Sequence, residues 1–317
     1  MNPLISIIIV NFNGLRYLGP CLSSLEKQSY EPCEIILVDN GSSDGSPGYV
    51  RAHFPKVIVV ETGTNRGFAG GTNAGIKEAH GDFILTLNND TITDSHFLEN
   101  IIKPMLADKR VGMCASKMRF PDGRINSTGI CFSRSGAAWD RGILEADLGQ
   151  YEDETEVFGP CAGAALYRRA MLDEIGLFDE DFFLYMEDVD LAFRARWAGW
   201  FCRYVPSAKV THIHGGTTGI NSELSVYYGN RNLLWYVIKN FPVRTLLTCL
   251  PWIVGRNCGD IPFYIYQGRW RAIVRAKFDG IKGIPRMWRK RKTRNQKISR
   301  EEIERWICTW SKKHPPR

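Results

Sequence analysis

The sequence predicts an α/β protein with a mainly parallel central sheet flanked by helices, and a helical, basic C-terminal extension. Three observations predict it. Apolar runs of strand length alternate with helix-length segments over the first hundred residues, the pattern of βαβ units. Each run ends in polar residues, and ligands of parallel sheets bind at that edge. The composition, 44% hydrophobic and 24% charged over 317 residues, is that of a globular chain and excludes a disordered one.

The first predicted strand covers residues 4–10, and a helix over 15–28 follows with Leu15, Leu18, Leu22 and Leu25 at helical spacing. Further strands are predicted at 34–38, 57–60 and 83–87, with a helix over 68–79 before the last. The polar ends are Asn11-Phe12-Asn13, Asp39-Asn40, Asn65-Arg66-Gly67 and Asn88-Asn89-Asp90. Four such ends at one sheet edge point to a ligand crevice. Asp39 suits a base or ribose, and equally a helix cap. The segment from Asn65 through Gly67, Gly70, Gly71 and Asn73 fits neither G-x-G-x-x-G nor the P-loop. Its glycines open a helix whose N–H groups could approach a phosphate, with Arg66 adding charge; a glycine hinge beside a solvated Arg fits the same pattern. Asn88-Asn89-Asp90 offers hard oxygen ligands for Mg²⁺ or Mn²⁺, and is also good turn chemistry.

Beyond residue 95 a helix is predicted over 97–106 and strands over 111–116 and 129–132, with an acidic loop over 144–156 and a short helix over 169–175. Small residues around Gly163 and Ala164 allow close approach of a backbone or ligand. From Phe178 to Leu191 carboxylates alternate with aromatics: Asp181, Tyr185, Glu187, Asp188 and Asp190 stand where a helix begins. Asp188 and Asp190 fall in or near its first turn, where the dipole favours negative charge, and Asp190 has ion-pair spacing to Arg194. Partial desolvation there would raise a carboxylate pKa and suit it to proton abstraction. Two strands over 200–205 and 209–211 lead to His212, a candidate ligand that could complete an oxygen-rich metal site.

The net charge of +7 is uneven. Residues 267–317 hold 17 Lys and Arg against 4 Asp and Glu, so this stretch is +13 and the remainder −6. A basic tail seeks an anionic partner, membrane or nucleic acid. The apolar segments 233–241 and 246–254 favour the membrane, because they give the cations something to insert beside. Pro242, Arg244, Pro251 and Arg256 interrupt them, so a spanning helix is not expected. Nine scattered cysteines without C-x-x-C argue against zinc and fit a reducing compartment. No signal-peptide pattern precedes the first strand, so a cytoplasmic protein is expected. Asn126-Ser127-Thr128 would be a glycosylation acceptor only in a secreted chain.

Together Ile8-Ile9-Val10-Asn11-Phe12-Asn13, Val38-Asp39-Asn40-Gly41-Ser42, Asn65 through Asn73, Leu87-Asn88-Asn89-Asp90, Glu187-Asp188-Val189-Asp190-Leu191 and His212 resemble, in this order, a family 2 glycosyltransferase of GT-A fold, most closely the rhamnosyltransferase-like branch. The resemblance implies a catalytic domain over 1–222, with a donor half to about 110 and an acceptor half over 111–222, followed by a membrane-associating region over 223–317. It implies that Asn11, Asn13, Asp39, Asn40, Arg66, Gly67, Gly70, Gly71, Asn73, Asn88, Asn89 and Asp90 line the site of a nucleotide-diphosphate sugar. Asp90, Asn88 and His212 would hold Mg²⁺ or Mn²⁺. Asp188 would be the general base with Glu187 beside it, and Gly163, Ala164, Asp181 and Tyr185 would meet the acceptor. The implied reaction is inverting, single-sugar transfer to a hydroxyl of a polyprenyl-diphosphate-linked or oligosaccharide acceptor in surface polysaccharide synthesis. It would take place on the inner face of the membrane, with no nucleic acid and with self-association left open. One position departs: Asn88 stands where relatives place the first Asp of D-x-D. The processive Q-x-x-R-W motif is replaced by Arg231-Asn232-Leu233-Leu234-Trp235. The competing readings are a sugar nucleotidyltransferase and a nucleic-acid-binding protein that uses the basic tail.

Overall fold

The computed structural model describes residues 2–213, 222–291 and 295–308. The first half is built as the alternation predicts. β1 (Ile5–Asn11), α1 (Leu15–Leu25), β2 (Cys33–Asp39), α2 (Ser46–His53), β3 (Ile58–Glu61), α3 (Gly67–Glu78) and β4 (Phe83–Asn88) follow in order. β3, β2, β1 and β4 lie side by side and parallel. β5 (Thr91–Thr93), α4 (Phe97–Ala107), β6 (Val111–Arg119), β7 (Ile125–Ser127), β8 (Ile130–Ser133), β9 (Ala138–Asp140) and β10 (Thr155–Val157) come next. Then follow β11 (Ala164–Arg168), α5 (Arg169–Ile175), α6 (Glu187–Trp197) and β12 (Phe201–His212).

The sheet order is β10-β12-β6-β11-β4-β1-β2-β3, with β5 on β12 and β7 on β6. β11 runs antiparallel between β4 and β6, so the sheet is mixed at its centre. The two strands expected over 200–211 are one, β12, with an irregularity between Val205 and Lys209 where its register on β6 shifts. The register puts His212 opposite Thr91, next to the end of β4.

The central strands β1 and β4 are buried on both faces, which is why they read as unbroken apolar runs. Helix α3 reaches the sheet closely because two of its glycines face it. A Cβ on Gly71 would stand 2.8 Å from Val10 Cγ1, and one on Gly75 2.5 Å from Ile8 Cγ2.

The C-terminal part is helical: α7 (Glu223–Asn240), α8 (Val243–Tyr266), α9 (Trp270–Lys282), α10 (Ile284–Lys290) and α11 (Arg300–Glu304), then β13 (Ile307–Cys308). One apolar core runs through both parts: Phe132, Phe158 and Phe193 pack with Tyr236 and Phe241. β13 adds a parallel strand to β8, making a second sheet β13-β8-β9. No helix among the described residues is long and apolar enough to cross a membrane. Residues 214–221, which follow His212 and include His214, lie outside the described residues.

Candidate functional site

The polar strand ends converge, but not every side chain points the same way. Asn11 is wholly buried. Its Nδ2 donates to Ser42 Oγ (3.2 Å) and, at 3.4 Å, to Asp39 Oδ1; its Oδ1 accepts from Asn89 Nδ2 (2.7 Å). Asp39 Oδ2 accepts from the backbone of Gly41 and Ser42, an Asx-type turn, so the carboxylate shapes its own loop. Asn13 is exposed, in the left-handed region, with its Oδ1 taking the Ser43 N–H (2.8 Å).

Several residues expected at the donor are instead engaged within the protein. Asn40 is buried, and its amide is used by Gly67 O, Asn65, the Arg66 N–H and Thr62. Asn73 makes three bonds to Phe178 and Glu180. Asn89 is buried and turned onto Asn11. A Cβ at Gly67 would strike Phe183 O, at Gly70 the Arg66 side chain and at Gly71 Val10. Burial makes such amides find protein partners and the glycines admit neighbours, so these residues also hold together the loops that frame the crevice. Arg66 is exposed at the start of α3, with no partner for its guanidinium among the described residues.

The end of β4 is different. His212 Nε2 is 3.2 Å from Asp90 Oδ1 and 3.2 Å from Asn88 Nδ2. The other ring nitrogen, Nδ1, is 2.9 Å from Asn126 Oδ1. In the Nδ1–H tautomer the ring donates to that carbonyl, and its Nε2 can accept from Asn88 Nδ2 or meet a cation beside Asp90. A ring oriented in this way through its second nitrogen is how proteins present a metal-binding His. Asp90, His212 and Asn126 are buried. These donors fit a hard divalent ion: one carboxylate, one imidazole, and the Asn88 amide if turned to offer Oδ1. Among the described residues no group of three His, Cys, Asp or Glu gathers, so protein ligands alone would leave coordination positions free.

The second acidic constellation meets this one across residues 162–163. Asn88 N donates to Gly163 O (2.9 Å), and Ala162 N donates to Asp188 Oδ2 (3.2 Å). A Cβ on Gly163 would come within 3.1 Å of Asn88 Nδ2, so this glycine makes room for the β4 end. Asp188 Oδ1 also takes the Val189 N–H (2.8 Å) at the start of α6. Burial pushes the Asp188 carboxyl above its ordinary value, against these backbone bonds. Burial, then the charge of Asp188, pushes Glu187 much further up, and its Oε2 is buried with no hydrogen-bond partner. Asp188 therefore carries the shared negative charge, because its two N–H donors stabilise it and Glu187 has none comparable.

Asp190 does pair with Arg194 (2.9 Å), and also with Lys239 and Asn240. Burial opposes ionisation there, but Lys239 and Arg194 outweigh it and its pKa falls. Of the residues expected at the acceptor, Asp181 is held by Arg286 and Lys290, and Ala164 is buried in β11 with its carbonyl taken by Ser116. Tyr185 is half-buried, left-handed, and its carbonyl accepts from Asn232 Nδ2 (2.8 Å).

Sequence reasoning missed Asn126 and Asp140. Asn126-Ser127-Thr128 is wholly interior and cannot take a glycan; Asn126 is the His212 partner instead. Asp140 ends β9 beside the Ser127 hydroxyl and the Cys161 thiol. Burial, and the charge of Asp188, raise its pKa to about 6. Nothing in Ala138-Trp139-Asp140 distinguishes it from a loop acid, so only the fold could reveal it.

Comparison with known proteins agrees with this architecture. Residues 6–176 match the family described as "Glycosyl transferase family 2". The chain is 29% identical over 246 residues to the N-acetylglucosaminyl-diphospho-decaprenol L-rhamnosyltransferase of Mycobacterium tuberculosis, covering 69% of this chain and 79% of that protein. Among solved structures, the mannosyltransferase PcManGT of Pyrobaculum calidifontis, in complex with GDP-Man and Mn²⁺, superposes with a TM-score of 0.58 at 16% identity, covering 89% of this chain and 88% of that one. GalNAc-T7 with UDP, GalNAc and Mn²⁺ gives a TM-score of 0.61 at 16% identity, covering 76% of this chain and 48% of that one. The strand-end crevice, the Asp90–His212 pair and the Glu187-Asp188 start of α6 thus sit on a GT-A-like fold, and the chain belongs to the family 2 glycosyltransferases.

Proposed function

We propose that this glycosyltransferase moves one sugar, with inversion, from a nucleotide-diphosphate sugar (dTDP-rhamnose or a UDP-sugar) to a hydroxyl of a polyprenyl-diphosphate-linked saccharide in bacterial surface polysaccharide synthesis. The observation that carries the chemistry is the placing of Asp188 and the Asn88–Asp90–His212 group on either side of residues 162–163. The named relative supports the donor and acceptor class.

In this reading Asp188 removes the proton of the acceptor hydroxyl. The freed oxygen bonds to the anomeric carbon from the face opposite the diphosphate. The carbon–oxygen bond to the diphosphate breaks, and its electron pair leaves with the nucleoside diphosphate. The burial that raises the Asp188 pKa makes it a stronger base than an exposed Asp. Asp90, His212 and Asn88 would hold Mg²⁺ or Mn²⁺, which when bound supplies electrostatic stabilisation of the leaving diphosphate. Arg66 adds a positive charge at the donor edge.

The C-terminal region supports an anionic membrane surface as the place of reaction, on the cytoplasmic side. On α9, Trp270, Val274, Phe278 and Ile281 recur at helical spacing and are all exposed, while Ala272, Ile273, Ala276 and Gly280 face the protein. Arg271, Arg275 and Lys282 line the flank of that exposed stripe. An apolar stripe bordered by cations suits an interfacial helix.

The test is donor turnover with a panel of dTDP- and UDP-sugars, with and without Mn²⁺, by the wild type and by Asp188→Asn. Transfer lost by at least about 100-fold with nucleotide binding intact is the expected result, the lower range of a general-base contribution. Substantial transfer by the variant refutes the assignment of Asp188.

A further inference from the structure

The segment that delivers Asp188 is held in place from outside the family-matched residues 6–176. Residues 181–186 form a loop in which Phe183, Tyr185 and Met186 all have positive φ, between 64° and 68°. Three non-glycine residues in the left-handed region within four positions cost on the order of 1 kcal/mol or more each and persist only where surroundings enforce them. Met186 is the N-cap of α6, with no side-chain cap. The enforcement comes from α7. Asn232 Nδ2 donates to three carbonyls at once, Phe182, Leu184 and Tyr185, each at 2.8 Å. Arg231 Nη2 donates to Asp181 O (2.9 Å) and Phe182 O (3.0 Å). Its Nε donates to Asn232 Oδ1 (2.8 Å), which fixes the amide with its NH₂ toward the loop. Trp235 and Tyr228 lie against the Arg231 guanidinium. Both residues are buried.

We infer that Arg231 and Asn232 are positioning residues for the catalytic base: they fold the carbonyls of 181–185 around one side-chain fork and so set where α6, and with it Asp188, begins. Through these two side chains α7 positions the base and is not only a link to the basic tail. This inference rests on the assignment of Asp188 as base. A general base displaced by about 1 Å loses on the order of 100-fold in rate. Asn232→Asp keeps the size of the side chain and replaces the donor by an acceptor facing three carbonyls.

The experiment uses the full chain with the donor that the wild type turns over best, and measures kcat, donor KM, nucleoside-diphosphate affinity and Tm for Asn232→Asp, Arg231→Lys, Leu233→Ala and Asp188→Asn. Leu233 is a buried neighbour on the same helix with no bond to the loop, so its variant reports a stability loss alone. The expected result is a fall in kcat of about 100-fold in Asn232→Asp, with donor KM and nucleotide affinity within about 2-fold of wild type, and a near-normal kcat in Leu233→Ala. Arg231→Lys, which loses the fork, falls in kcat as well. The inference is overturned if Asn232→Asp keeps kcat, or if Leu233→Ala at equal Tm loss lowers kcat as much. An active Asp188→Asn sinks the base assignment itself, whereas an inactive Asp188→Asn beside an active Asn232→Asp sinks only the positioning role.

Discussion

Replacing Asn88 by Asp tests the metal reading at its weakest ligand. In the wild type, His212 Nε2 lies 3.2 Å from both Asp90 Oδ1 and Asn88 Nδ2, so a carboxylate at 88 would stand beside that of Asp90 within a buried pocket. Two unit charges about 4 Å apart interact by about 4 kcal/mol at an effective dielectric of 20. Relaxation toward the open crevice lowers this, and we take about 1–3 kcal/mol as the repulsion left without metal. A divalent ion removes that repulsion and gains a second charged ligand. The metal-free variant should therefore melt lower by about 2–6 °C, at about 2 °C per kcal/mol for a chain of this size. Its Mn²⁺ affinity should rise by about 10- to 100-fold, the same energy expressed as binding. Thermal melts across a Mn²⁺ titration, with and without dTDP or UDP, measure both effects. An unchanged metal-free Tm together with an unchanged titration midpoint would refute the placing of a cation between Asp90, His212 and residue 88.

Three other outcomes follow from the same geometry. Asp188 has a raised pKa, so in the proposed role of ionised base it makes kcat fall as pH drops through that raised value, at higher pH than an ordinary Asp would give; a kcat flat down to the usual Asp range counts against the role. Lys239→Met removes the cation that Asp179 and Asp190 share and should cost about 3 kcal/mol by denaturant titration at neutral pH. Both carboxyls are held below their ordinary values, so the Lys239 contribution is present above the unfolded Asp pKa and fades as pH falls through the folded one. Phe278→Asp places a charge in the exposed α9 stripe and should abolish flotation of the wild-type chain with phosphatidylserine vesicles without lowering Tm; wild type that fails to float, or a variant that floats equally, excludes α9 as the contact.

The parallel half of the fold was legible because its central strands are buried on both faces and each strand reads as an apolar run ended by polar residues. The same signal could not say which polar ends face a ligand. An Asn at a strand end can meet a ligand or tie two loops together, and Asn40 and Asn89 do tie loops together. Asp90 and Asp188 stood out as candidates because their motifs are local. Asn126, Asp140 and the Arg231-Asn232 fork were not, since each acquires its role through distant partners: His212, 86 positions from Asn126; Cys161 and Asp188, 21 and 48 positions from Asp140; and the 181–185 loop, about 50 positions from the fork. Periodicity also misjudged β12, whose irregularity between Val205 and Lys209 divides one strand into two apparent ones.

The pairing of β13 with β8 has a consequence for biosynthesis. Ile307 lies opposite Phe132, about 175 positions earlier in the chain. At about 5–20 residues per second, a ribosome needs roughly 10–35 s to deliver the later strand after the earlier one. Throughout that interval β8 has only β9 as a strand neighbour in its sheet, and its other side is an open edge able to recruit strands from elsewhere. A nascent chain stalled before residue 307 should therefore be more prone to aggregate than its length alone would suggest, and the arrival of Ile307 and Cys308 is the event that closes the edge.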